Sequence, residues 1–153
     1  MQKIEFFVAG QPEQKGSTRA FVVKGRPVIT SSNKNLKQWE LRVAHEAQVA
    51  TPVEGNGLTW VRSIKPFYDP TEKVQYKVMV KFAFKRPVSA PKKLQANAKR
   101  PDIDKLLRAV LDGLNGIILM DDAQVTAVYC EKVYGSPGAT IMVLKASVED
   151  KPW

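Results

Sequence analysis

Lys99–Val125 reads KRPDIDKLLRAVLDGLNGIILMDDAQV, and the fold turns on how the middle of this stretch is read. Ile103, Leu106, Leu107, Val110, Leu111 and Leu114 recur at the 3, 4, 7, 8 spacing of a buried helical stripe. Asp102 and Asp104 precede that stripe, and Asp121 and Asp122 follow it. Pro101 biases Arg100 toward extended backbone. Residues two apart share one face of a strand but lie on nearly opposite faces of a helix. The spacing therefore predicts extended chain through the first pair, with Asp104 as the N-cap of a helix behind it. Asn115-Gly116 is a helix stop, and the alternation from Ala123 to Tyr134 predicts a strand. A helical hairpin of this kind could return the second acidic pair to the first. Carboxylates meeting there would repel unless a cation intervened, and hard oxygen donors suit magnesium or manganese. A D-x-D alone carries little of this, because acids ahead of a helix commonly cap it and favour its dipole.

Charge places the same stretch beside an anionic partner. The chain of 153 residues carries a formal net charge of +9, which favours an anionic polymer. Lys85, Arg86, Lys92, Lys93, Lys99, Arg100, Lys105 and Arg108 face only Asp102 and Asp104 in their window, so a net +6 of that total lies there. A merely solvated face is the alternative, since basic surfaces are common.

Upstream, Lys3–Ala9 reads as a strand, and Phe21–Val23 with Val28–Thr30 reads as a small hairpin around Lys24-Gly25. Lys15, Arg19, Lys24 and Arg26 would line its ends, either as a second strip of phosphate contacts or as the ordinary lysine-bearing loops of any soluble protein. Ser31-Ser32-Asn33 offers caps for a helix over about 34–50, with Leu36, Trp39, Val43, Ala47 and Ala50 as its inner face. Thr51–Glu72 is irregular, with Trp60 and Tyr68 beside Arg62 and Lys65. Aromatics among cations can stack on unpaired bases, or Trp60 and Phe67 can simply anchor the loop. Lys73–Lys85 alternates with period two. Arg86–Arg100 reads as a loop over the acidic face, and Ala139–Val148 as a last strand. Strands, single helices and a closing hairpin predict an α+β fold: a mixed sheet with two main helices packed largely on one face. No linker divides 1–153, which reads as one domain. No apolar run approaches the ~20 residues of a membrane span, and the N-terminus reads as a strand rather than a leader.

One cysteine and one histidine leave zinc sites and Cys–His or Ser–His schemes without material. Cys130 reads as a small core residue and suits a reducing, cytoplasmic setting. His45, alone on its helix, reads as an ordinary surface or packing residue rather than a catalytic base.

The stretch 101–125 resembles the signature of the RusA family of Holliday-junction resolvases, often phage or prophage encoded. That signature is D-x-D-N-x-x-K opening a helix that reads A-x-x-D-A/G-L, then D-D-x-Q-V. Asp102, Asp104, Leu106, Ala109, Asp112, Leu114, Asp121, Asp122, Gln124 and Val125 fall in register. The match is dense over about 25 residues and elsewhere rests on size and element order. The resemblance implies a magnesium-dependent endodeoxyribonuclease (manganese a possible substitute) acting on four-way DNA in recombination and repair. It implies a homodimer making paired nicks, with no membrane partner and a place near the nucleoid. Asp102, Asp104 and Asp122, with Asp121 assisting, would hold the metal, and Arg108 would steady the phosphate. Lys92, Lys93, Lys99, Arg100 and Lys105 would track the DNA arms. Two positions depart from the signature: Lys105 stands where Asn is usual, and Arg108 where Lys is usual. Arg keeps the charge but not the compact, proton-shedding chemistry of Lys. An i,i+4 pair with Asp104 is the plain structural alternative for Arg108.

Three other readings stand beside the nuclease. A restriction-type P-D…(D/E)-x-K core fails, since Leu106 and Val133 stand where its lysine should follow Asp104 and Glu131. A branched-DNA-binding protein that has lost cleavage is the second, and an acidic cluster that only stabilises the fold is the third.

Overall fold

The computed structural model describes residues 2–16, 18–31, 33–51, 73–151 and 153, with the side chains of 18, 19 and 31 left aside. The stretch with Trp60, Arg62, Lys65, Phe67 and Tyr68 lies outside the described residues. Among the described residues, six strands and two α-helices run in the order β1 (Gln2–Ala9), β2 (Thr18–Val23), β3 (Arg26–Ser31), α1 (Leu36–Ala50), β4 (Val74–Phe84), α2 (Ile103–Leu114), β5 (Val125–Tyr134) and β6 (Gly138–Ser147). β1, β6, β4 and β5 form one sheet in that order, and β2 with β3 forms a separate two-stranded ribbon. β1–β6 and β6–β4 are antiparallel, while β4–β5 is parallel. The predicted mixed sheet with two helices is thus the observed one.

Alternation decides which face the helices cover. Tyr76, Val78, Val80, Phe82 and Phe84 of β4 are buried, with Ala139, Ile141 and Val143 of β6 and Ile4 and Val8 of β1 beside them. Against this layer α1 sets Leu36, Trp39, Val43 and Ala47, and α2 sets Leu106, Ala109, Val110 and Leu114. Leu106, Val110 and Leu114 lose essentially all of their exposure, and burying a Leu or Val side chain stabilises by roughly 1.5–3 kcal/mol. The parallel β4–β5 pair needs a long crossover, and the chain supplies it as Lys85–Asp102 followed by α2.

Four boundaries differ from the sequence reading, each for a local reason. α1 begins at Leu36 with Asn35 as N-cap; Asn33 instead accepts the Asn35 N–H on its Oδ1 at 3.0 Å. The β2–β3 hairpin is longer than the apolar runs alone, because Lys24 and Gly25 both take positive φ (50° and 74°). That two-residue turn matches the twist of long paired strands. β5 starts at Val125, since Asp122–Gln124 forms a 3-10 turn before it. Arg86–Arg100 is not a free loop: Ala96 bridges Val133, Asn97 is buried, and the Arg86 guanidinium lies 5.0 Å from the Tyr134 ring centre.

Cys130, opposite Val80 in β5, packs half-buried against the core. Burial pushes its thiol up to about 11 from an ordinary 9.0, with a backbone hydrogen bond at Val80 opposing.

Candidate nucleic-acid cleavage site

The first acidic pair sits at the head of α2, not ahead of it. The helix begins at Ile103, so Asp102, extended at φ −71° and ψ 136°, is the N-cap, and Asp104 falls in the first turn. The expectation of extended chain through Asp104 therefore gives way to a helix that starts earlier. Asp102 makes no side-chain cap; its Oδ2 instead meets Lys105 Nζ at 3.2 Å, an i,i+3 pair. Lys105, where the signature usually has Asn, is thereby committed to Asp102. Arg108 is exposed, and among the described residues it is within ion-pair distance of no carboxylate, Asp104 included. The simple helix pair suggested for it is absent, which leaves its guanidinium open to an outside anion.

Several groups fix this corner in place. Lys132 of β5 donates from Nζ to the carbonyl oxygens of Lys99 and, at 2.7 Å, of Pro101. Gln14 Oε1 accepts the Asp102 backbone N–H at 3.4 Å, and the Lys15 N–H donates to the Lys105 carbonyl oxygen at 3.1 Å. The Lys15 ammonium bridges Asp112 of α2 and, at 3.9 Å, Glu40 of α1. Glu40 is held above its usual 4.5, first by burial and then by the Asp112 charge, with Lys15 pulling the other way. Lys15 therefore has two carboxylates of its own chain to answer, unlike the free phosphate contact its position suggests. Gln14, Glu40 and Lys132 were not singled out by the sequence. Their side-chain contacts at this corner span 25 to 88 residues, with no local spacing to announce them.

The second acidic pair plays two parts. Asp121 is the N-cap of the 3-10 turn: its Oδ1 accepts the Ala123 N–H at 2.7 Å, and Gln124 Oε1 accepts the Asp121 N–H at 3.3 Å. This is a reciprocal capping box, and it gives the D-D-x-Q spacing a structural reason. Asp122 is exposed beside it. Asp102 is half-buried and Asp104 exposed. Oxygen donors of this kind fit a hard divalent cation in chemistry. Among the described residues, however, no group of three or more His, Cys, Asp or Glu side chains is gathered closely enough to hold one.

The cations sort by availability. Lys92, Lys93, Lys99 and Arg100 are exposed on the connector, and Lys24 and Arg26 are exposed at the hairpin turn. The side chain of Arg19, in β2, lies outside the described residues. A cleft of about 460 Å³ lies between the base of the hairpin and this corner, lined by Gln14, Gly16, Asn33, Lys34, Arg100 and Pro101 among others. No helix among the described residues is long and apolar enough to cross a membrane.

Comparison with known proteins bears on this corner. The family profile described as "Endodeoxyribonuclease RusA" matches residues 10–144. A protein of Bacillus subtilis (strain 168) described as "Uncharacterized protein YqaN" is 28% identical over 150 residues, covering 96% of this chain and 99% of its own length.

Proposed function

Because the chain belongs to the RusA endodeoxyribonuclease family, we propose that it resolves four-way DNA junctions by metal-dependent phosphodiester cleavage at the head of α2. The observation that carries this reading is local: exposed Asp104 and half-buried Asp102 share one corner with Lys99, Arg100 and Arg108, whose charges no carboxylate of the described chain engages. A divalent cation bound there would activate a water and offset charge on the leaving oxygen. The protein's own share is positional. Asp102 and Asp104 supply hard oxygen ligands; Asp122, exposed on the turn that leads into β5 and not gathered with them among the described residues, joins as a third only by closing onto the bound cation. Asp121, tied down by its cap, orients that turn. Arg108 meets a non-bridging phosphate oxygen with a planar fork in place of a lysine's point charge. Lys92, Lys93, Lys99 and Arg100 draw the arms onto this face. A homodimer would present two such corners to a two-fold substrate.

Labelled four-way junction incubated with and without magnesium tests the reading directly. The unmodified protein should give nicked product only with the metal, and Asp104→Asn or Asp122→Asn should bind the junction without cutting it. Cleavage left intact by either substitution removes that residue from the site. Binding without any cleavage by the unmodified protein would favour the branched-DNA-binding alternative.

A further inference from the structure

The β2–β3 ribbon presents a surface that a soluble protein seldom leaves open. In its register Ala20 faces Ile29 and Val22 faces Pro27, so these four side chains share one face. All four are exposed, Val22 at 71% and Ile29 at 72%. Its main packing is between its own two strands, so the sheet's core does not account for this apolar face. From Lys15 to Ser31 the chain carries Lys15, Arg19, Lys24 and Arg26 and no carboxylate.

The ribbon is also rooted at the acidic corner. On its outgoing side Gln14 takes the Asp102 N–H and Lys15 joins the Lys105 carbonyl. On its returning side Asn33 Nδ2 donates to Glu13 Oε2 at 3.0 Å and to the Gln14 carbonyl at 2.9 Å. Both arms therefore spring from the chain that holds the head of α2.

We propose that this ribbon is the junction-opening arm of the protein. Its Ala20–Val22–Pro27–Ile29 face lies against the bases flanking the crossover, while Lys24 and Arg26 hold the adjoining phosphates. A two-stranded ribbon fits a DNA groove about 12 Å wide, and apolar side chains that enter a base step partly unstack it. An apolar face on a ribbon with Lys24 and Arg26 at its tip and no acid along it is complementary to base surfaces edged by phosphates. The inference rests on the nuclease reading above and assigns the segment that gives it branch selectivity.

Val22→Thr/Ile29→Thr keeps β-branched residues on the ribbon while wetting its face. In the Asp104→Asn background, a junction with 2-aminopurine next to the crossover should brighten on binding the parent, and the double variant should abolish that rise. The same variant should lose roughly thirtyfold or more of its preference for four-way over linear DNA, the scale of one base step's unstacking. Lys24→Ala/Arg26→Ala should instead weaken binding to both DNAs alike and flatten its salt dependence by about two phosphates. An undiminished fluorescence rise and preference in the threonine variant would overturn the proposal. So would a fall to half the parent's sedimenting mass, which would assign the face to a second copy of the chain. A lowered melting temperature would overturn the premise that the face is open. A parent that ignores four-way DNA altogether would sink the nuclease reading itself, an outcome separate from these.

Discussion

Lys15 turns its charge inward, and the consequence is a pH dependence that its sequence position does not suggest. The Glu40 carboxyl is held above 4.5, so its ionised form is disfavoured in the fold. Its contribution to stability is therefore full below its unfolded pKa and is lost as pH rises through the raised folded value. Lys15 opposes that loss. Lys15→Met should cost little near pH 4 and on the order of 1 kcal/mol near neutrality, the modest size reflecting screening of a half-exposed cluster. Urea melts at the two pH values check it, and a penalty that does not grow with pH would place the value of Lys15 in packing alone. Arg108 makes the complementary case. With no carboxylate engaging it, Arg108→Ala should leave stability within about 0.5 kcal/mol, as surface changes do, while junction cleavage falls steeply. Asp102, Asp104, Asp121 and Asp122 were legible because family register and acid content coincide within a short stretch. Their capping geometry was not, since a helix start one or two residues earlier leaves the residue types unchanged.

At the scale of elements, α1 and α2 meet at Gly113. A Cβ there would stand 2.8 Å from Val43 Cβ and 3.1 Å from the Glu40 carbonyl oxygen. Gly113→Ala gains up to about 1 kcal/mol of helix propensity yet forces the helices apart, a cost of roughly 1–3 kcal/mol. The overpacking term should win, lowering the melting temperature, and Val43→Ala in the same chain should recover only a minor part of the loss, since it removes the Val43 Cγ1 contact at 2.8 Å but leaves the Cβ and the Glu40 carbonyl oxygen in place. The α2 stripe and the β4 alternation were readable because each buries one face against a continuous layer, so period and burial agree. The ends of elements were less so. The connector 86–100 reads as a basic loop, yet its backbone joins the edge of β5: Asn97 N–H donates to Lys132 O and Tyr134 N–H to Gln95 O, both at 3.0 Å. Those bonds depend on β5 being an edge, which is a property of the sheet order and of no local pattern.

At the scale of the molecule, the net charge of +9 should govern how firmly any DNA is held. If six or more phosphates are neutralised, affinity for a four-way junction should fall about a thousandfold or more between 50 and 200 mM salt. Filter binding across that range would show it, and a shallow slope would count against a phosphate-tracking surface. The overall layout, a mixed sheet backed by two helices, followed from element types; the sheet order β1–β6–β4–β5 did not, because strands of similar composition can neighbour in several ways. Cys130 adds a practical corollary. Its thiol, half-buried and pushed up to about 11, offers almost no thiolate at neutral pH. As the chain's sole sulfhydryl, it should ignore maleimide on the timescale that labels an exposed cysteine in minutes. A dye carried on Lys24→Cys would then report from the ribbon tip alone, with the native background silent.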